Sequence, residues 1–243
     1  GDTSTTSTYA SLSWNSDGSD PYGLPTGVNL SMIGYFFGGW YANSAFTGTA
    51  ITNDTAFDGT VKTIYAKLSA FTIEVSYDPN GGTGTMEKTS FKFDEEATLR
   101  TNTFTRDGYT FKGWATNTSG NVSFAYAGAE YELNKAGYVK DGAKVKNLNP
   151  GIGLTLYAIW EANTYSITYD YDGGSATNPP VRYNITGGYS TSTTGDLIAG
   201  GKLGTATKTG YNFAGWKVSK ITNDAGAELT TGSYGNWTIG TTT

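Results

Sequence analysis

The chain has 243 residues, a net charge of −5, 34 Gly, 18 Tyr and only 15% charged residues, with neither Cys nor His. The missing thiols and imidazoles exclude cysteine nucleophiles, histidine bases, thiolate zinc sites and haem ligation. The mild, dispersed acidity argues against nucleic acid and anionic lipid as electrostatic partners, and no apolar run reaches the roughly 18–20 residues that a spanning helix needs.

Read in chain order, the sequence opens on Gly1-Asp-Thr-Ser-Thr-Thr-Ser-Thr8, which reads as a disordered leader at a mature or trimmed end, without a visible signal peptide. Residues 10–18 form a worn strand-and-turn phrase. Gly34-Tyr-Phe-Phe-Gly-Gly-Trp40 is the first of three copies of Gly-Tyr-x-Phe-x-Gly-Trp; the others are Gly108-Tyr-Thr-Phe-Lys-Gly-Trp114 and Gly210-Tyr-Asn-Phe-Ala-Gly-Trp216. Thr63-Ile-Tyr-Ala-Lys-Leu68 follows the first copy and Thr155-Leu-Tyr-Ala-Ile-Trp160 the second. Both alternate apolar and polar residues, as half-buried strands do. Phe71-Thr-Ile-Glu-Val-Ser-Tyr-Asp-Pro-Asn-Gly-Gly82 and Tyr165-Ser-Ile-Thr-Tyr-Asp-Tyr-Asp-Gly-Gly174 are strands running into Asn-Gly or Asp-Gly turns. The one helical signal is a turn or two over residues 93–99. No Thr-Leu-Tyr-Ala-x-Trp phrase follows Gly210, so the third unit reads as incomplete. Either residues 236–239 stand in for its last strand, or that strand belongs to chain beyond residue 243, and this end is expected to be mobile or paired with a neighbouring molecule.

A repeated aromatic-glycine phrase with drifting intervening residues means one structural unit used several times. The boundaries fall at 1–69, 70–162 and 163–243, with joins too short and too poor in Pro, Gly and Ser to be flexible linkers. Residues 121–140 and 184–202 are extra segments in the second and third units, and read as surface insertions. Within each triplet, Tyr and Phe are two apart and share a strand face. Trp, three beyond Phe, falls on the other face unless the preceding Gly bulges the strand and returns it to the core. The three Trp are therefore expected to be buried structural residues.

The order of strand, Asp-x-Asn-Gly-Gly turn, Gly-Tyr-x-Phe-x-Gly-Trp and Thr-Leu-Tyr-Ala-x-Trp resembles the Listeria–Bacteroides repeat, also called the internalin B-repeat type. Tyr22-Gly-Leu-Pro25 fits a segment that such repeats carry before the Gly-Tyr block. The resemblance covers most of 70–162 well, 22–68 fairly and 163–239 more loosely. It implies a mostly β, α+β, β-grasp-like fold: three small tandem modules in an elongated array on a secreted or surface-anchored bacterial protein. It names no ligand.

The remaining candidates have simpler readings. Asp78, Asp170 and Asp17 lie in Gly-rich turns but complete no calcium-loop spacing, and turn chemistry accounts for them. Glu95-Glu96 and the pair Asp54 and Asp58 read as solvated charge, not as facing glycosidase carboxylates. The six Asn-x-Ser/Thr sites come with the composition. Aromatics outside the framework (Tyr126, Tyr131, Tyr138, Tyr183, Tyr189 and Trp237) are the candidate partner-binding residues, since loop tyrosines are low-entropy contact groups. Packing against the neighbouring module is the alternative. The expectation is a non-enzymatic cell-surface adhesion or spacer module without cofactor or metal, binding a host or bacterial surface protein or glycan. The second hypothesis is a carbohydrate-binding module beside an absent catalytic domain.

Overall fold

The computed structural model describes residues 33–52, 63–148, 153–191, 198–199, 203–222 and 227–229. The fold is mostly β; among the described residues there is no helix. The strands are β1 (Tyr35–Tyr41), β2 (Tyr65–Ala70), β3 (Thr72–Asp78), β4 (Thr89–Lys92), β5 (Ala97–Thr98), β6 (Tyr109–Ala115), β7 (Glu130–Tyr131) and β8 (Lys144–Lys146). They continue with β9 (Leu154–Ala162), β10 (Thr164–Ser166), β11 (Arg182–Asn184), β12 (Gly188–Ser190), β13 (Ile198–Ala199), β14 (Ile221–Thr222) and β15 (Glu228–Leu229).

Residues 71–162 build two facing sheets. One has four strands in the order β4-β3-β9-β6, with β3 and β9 parallel in the centre; the other is the small sheet β5-β8-β7. Ile73 and Val75 from β3, Phe91 from β4, Trp114 from β6 and Leu156 and Ala158 from β9 meet Leu99, Val139, Ala143, Val145 and Leu148 in one core. The alternation of Ile73 and Val75 places both on the covered face of β3, and both are fully buried. β1 and β2 form an antiparallel pair, and β10 to β13 an antiparallel meander.

The expected bulge is present. Pairing of β6 with β9 shifts register between Phe111 and Gly113, and pairing of β1 with β2 shifts between Phe37 and Trp40. Gly39, Gly113 and Gly215 hold φ of 114°, 139° and 133°, a region open to glycine. A Cβ on Gly113 would also lie 2.8 Å from Tyr138 Cβ and 2.9 Å from Val139 O. The bulge brings Trp40 and Trp114 back beside their Phe, with ring centroids 5.4 Å apart for Phe37–Trp40 and 4.9 Å for Phe111–Trp114; Phe213 and Trp216, in a stretch that belongs to no strand, lie 5.2 Å apart. Trp40 and Trp114 are buried as expected, whereas Trp216 is only half-buried.

Two sequence expectations are corrected. Residues 93–99 make no helical turn. Asp94, at φ 66°, and Glu95 close a tight turn after β4, and Ala97 and Thr98 then pair with β8. Phe93 and Leu99 both enter the core, and chain that crosses a core edge between two sheet pairings has no room to coil. Residues 121–140 are likewise no detachable surface insertion. Val139 is fully buried and bridges Trp114, while Val122, Phe124, Tyr126 and Tyr131 pack against the core.

The first and second units meet through a glycine corner. The Phe71 N–H donates to Gly34 O at 2.8 Å, and the Phe93 ring sits where a Gly34 Cβ would be. Tyr35 donates its hydroxyl to Asp94 Oδ2 at 2.7 Å. The Asp94 N–H donates to Asn147 Oδ1 at 2.7 Å, and Asn147 Nδ2 returns a bond to Asp94 Oδ1 at 3.0 Å. The corner recurs between the second and third units, where the Asn163 N–H donates to Gly108 O at 2.8 Å and Ile185 covers Gly108.

Trp114→Ala should destabilise the second unit by about 3–5 kcal/mol, the usual loss for truncating a buried large aromatic. Urea unfolding measures it, and a wild-type midpoint would remove Trp114 from the core.

The bonds from Asn147 and Tyr35 hold the Asp94 carboxyl below its usual range. A carboxyl with a depressed folded pKa contributes stability above its unfolded value, lost as pH falls through the folded one. The first joint should therefore loosen from about pH 4 downward. Melting temperatures of wild type and Asp94→Asn should converge on acidification; parallel curves would show that this carboxylate does not hold the joint.

Candidate functional site

Among the described residues, the third unit repeats parts of the second's framework. Tyr169 and Tyr171 lie at the positions of Tyr77 and Pro79, and the Asp170 carboxylate accepts the Asp172 N–H at 3.0 Å, as Asp78 accepts that of Asn80 at 2.7 Å. Ser175 bridges Thr207, matching the bridge between Thr83 and Thr105. Tyr169, Tyr171 and Phe213 ring Trp216 at 4.9, 5.9 and 5.2 Å, as Tyr77 and Phe111 ring Trp114 at 5.0 and 4.9 Å.

In the second unit, β9 lies between β3 and β6 and pairs with both. Among the described residues of the third unit, no strand lies between the equivalent stretches, and residues 167–171 and 211–216 belong to no strand. A cavity of about 680 Å³ lies between them, lined by Tyr169, Tyr171, Phe213 and Trp216, with Lys208 among its lining residues. Tyr211 is 71% exposed and Phe213 40%, whereas their counterparts Tyr109 and Phe111 are half-buried. Trp216, on the lining of this groove, is less covered than Trp40 and Trp114. Lys208 donates to Asp172 O at 2.6 Å and Oδ2 at 3.2 Å, and its ammonium lies 4.6 Å from the Tyr211 ring centroid.

The tyrosines picked from the sequence do not converge on this groove. Tyr126 and Tyr131 are half-buried and pack on Phe93 at 5.8 Å and Phe124 at 4.5 Å. Tyr138 is half-buried over Gly113 and Gly120. Tyr183 is buried against Tyr165, with centroids 5.2 Å apart, and lines the cavity. Tyr189 pairs through its backbone with Tyr183 and Ile198. Trp237 lies outside the described residues, as do the leader 1–8 and residues 236–239. Sequence reasoning missed Tyr169, Tyr171, Tyr211 and Phe213 as a joint surface, although the absence of a Thr-Leu-Tyr-Ala-x-Trp phrase after Gly210 was the available signal.

Three of the acidic candidates, Glu96, Asp78 and Asp170, have local partners. Glu96 pairs with Lys144 at 2.8 Å, and the turn aspartates accept backbone N–H groups as given above. Among the described residues no three or more acidic side chains gather as metal ligands. Asp17, Asp54 and Asp58 lie outside them.

Recurrent strand pairings, bulges and glycine corners define a β repeat protein. The chain belongs to the Listeria-Bacteroides repeat domain family, which matches residues 4–67, 74–136 and 165–239. It is also similar to a putative Gly-rich membrane protein of Evansella cellulosilytica, at 28% identity over 208 residues, covering 81% of this chain and 21% of that protein. The chain thus spans about a fifth of that relative's length. No solved structure matches it.

The glycine corners permit a paired comparison. Gly34 and Gly210 hold φ of 88° and 81°, so alanine at either carries a left-handed cost of roughly 1–2 kcal/mol. A Cβ on Gly34 would lie 2.3 Å from the Phe93 ring, whereas nothing lies within 4 Å of one on Gly210. Gly34→Ala should therefore lower the unfolding midpoint clearly more than Gly210→Ala. Equal losses would mean that the ring contact contributes nothing.

Proposed function

We propose that this chain is a non-enzymatic segment of a bacterial cell-surface protein, in which three tandem β-grasp-like modules form a semi-rigid spacer or adhesion array that binds other proteins. The observation that carries the reading is the recurring glycine corner. Phe93 on Gly34 and Ile185 on Gly108 join successive units through packed contacts with only one residue between the closing strand of one and the first strand of the next. Such joints resist bending, as a spacer requires. The sheet order β4-β3-β9-β6 with its central parallel pair supports the β-grasp likeness. The small sheet β5-β8-β7 covers the face that a helix would cover in an α+β version. A surface address is supported by the family and by the relative's description as a membrane protein.

A carbohydrate-binding reading has one observation in its favour, the exposed Tyr211 and Phe213 beside Trp216. The burial of Trp40 and Trp114 speaks for aromatics that serve the fold. Screening the purified chain on a glycan array and against surface-protein extracts should return a saturable protein partner and no glycan. A glycan that binds the wild type and is lost in the Tyr211→Ala/Phe213→Ala double variant would reverse the choice.

A further inference from the structure

We infer that the second unit is a mechanical clamp: tension carried along the chain loads the hydrogen bonds between its first and last strands lengthwise and all together, so the unit resists forced unfolding. Force resistance goes beyond stiffness or binding. It stands on the strand pairing within residues 72–162, whether or not the chain has a partner.

The load path follows from connectivity. β2 leads into β3 after one residue, Phe71, and β9 leads into β10 after one residue, Asn163. Tension therefore acts on the N-terminal end of β3 and on the C-terminal end of β9. The two strands are hydrogen-bonded neighbours and run parallel, with Val75 opposite Leu154 and Asp78 opposite Tyr157. In a parallel pair the two loaded ends lie at opposite ends of the ladder, so pulling slides one strand along the other. Bonds in a parallel ladder are evenly spaced, and those between Val75 and Asp78 are strained at the same time. An antiparallel pair in this position would open one bond after another.

Three features oppose sliding. Neither strand is an edge, because β4 flanks β3 and β6 flanks β9, which denies water a lateral approach to the ladder. The buried alternation pins the register. Ile73 and Val75 of β3 and Leu156 and Ala158 of β9 are fully buried, and a slip of one residue would turn a strand's whole apolar set away from the core. The next register in phase lies two residues on, roughly 6–7 Å away at the usual strand rise. Finally, the turn after β3 extends the grip beyond the strand's end. Asn80 Nδ2 donates to Ala158 O at 2.9 Å, and Trp160 Nε1 donates to Pro79 O at 2.8 Å. Asn80 holds φ of 45° and donates its own N–H to Asp78 Oδ1 at 2.7 Å, so its carboxamide meets β9 from a fixed turn.

The test pulls the full chain, which has no Cys of its own, by pairs of introduced cysteines at exposed positions. Thr72→Cys/Glu161→Cys loads β3 and β9 in shear. Thr72→Cys/Gly153→Cys holds their two N-terminal ends and peels them apart. At one loading rate, single-molecule force spectroscopy should give a rupture force roughly twofold or more higher in shear, because forced unfolding follows the kinetic barrier and not the equilibrium stability. Asn80→Gly, which keeps the left-handed backbone, and Trp160→Phe, which keeps a ring, should each lower the shear force and leave the peeling force unchanged. Equal rupture forces in the two geometries would overturn the proposal. So would a loss in Asn80→Gly and Trp160→Phe that is as large in peeling as in shear, which would make the turn a contributor to general stability alone.

Discussion

The bulge at the glycine before the tryptophan, formed at Gly39 and Gly113, is the constraint on which the rest of the unit depends. Strict two-residue alternation would send Trp114 to the face opposite Phe111. The extra residue at Gly113 turns it back, so that Tyr77, Phe104 and Phe111 surround the indole at 5.0, 6.0 and 4.9 Å. Aromatic pairs of this geometry contribute about 0.5–1.5 kcal/mol each beyond their burial. They offset a real cost, because Trp114 Nε1 is buried without an acceptor among the described residues, and an unmet buried donor costs about 1–3 kcal/mol. Trp216, only half-buried, instead donates to Gly204 O at 2.7 Å.

The same economy of glycine operates at the joints. A corner residue with positive φ and no side chain lets the next unit's apolar residue lie directly on the backbone, so Tyr35 and Ala70 of the first unit pack against the core of the second. Asp94 and Asn147 both adopt left-handed backbone, at φ 66° and 55°, and lock together by reciprocal hydrogen bonds beneath the Tyr35 hydroxyl. The first joint is thus polar at its rim and apolar at its centre. Neighbouring units in such an arrangement share stability in nearest-neighbour fashion.

What the sequence made legible was what it repeated. The strand phrases, the Asp-x-Asn/Asp-Gly-Gly turn and the bulge each occur more than once, and recurrence separates a structural requirement from chance composition. The second sheet was illegible because β5 and β7 have two residues each and β8 three, too few for any period to show. Tyr183 could have been placed. It lies as far beyond Tyr165 as Phe91 lies beyond Ile73, and both pairs face each other across a hairpin. Reading it as a loop contact ignored that spacing, because the framework had been defined by the loudest phrases alone. The groove left its signal only in the phrase that does not follow Gly210, since its walls Tyr169, Phe213 and Trp216 correspond to the ordinary core-side residues Tyr77, Phe111 and Trp114.

The parallel pairing of β3 with β9 explains why the last strand of a unit matters so much. Val75 and Leu154 are neighbours in the sheet although nearly the whole unit separates them in sequence. The central position is therefore filled last along the chain, after the hairpin and the Gly-Tyr strand are already available. Non-local pairings of this kind are entropically slow to form and reward the chain only when complete. Until then the two flanking stretches have no strand to share; among the described residues, 167–171 and 211–216 likewise belong to no strand. Because the closing strand of one unit leads after one residue into the first strand of the next, completing one sheet also delivers the hairpin that covers the corner glycine. The sequence repeat and the cooperative folding unit are therefore offset from each other, and it is this offset that couples the units into an array.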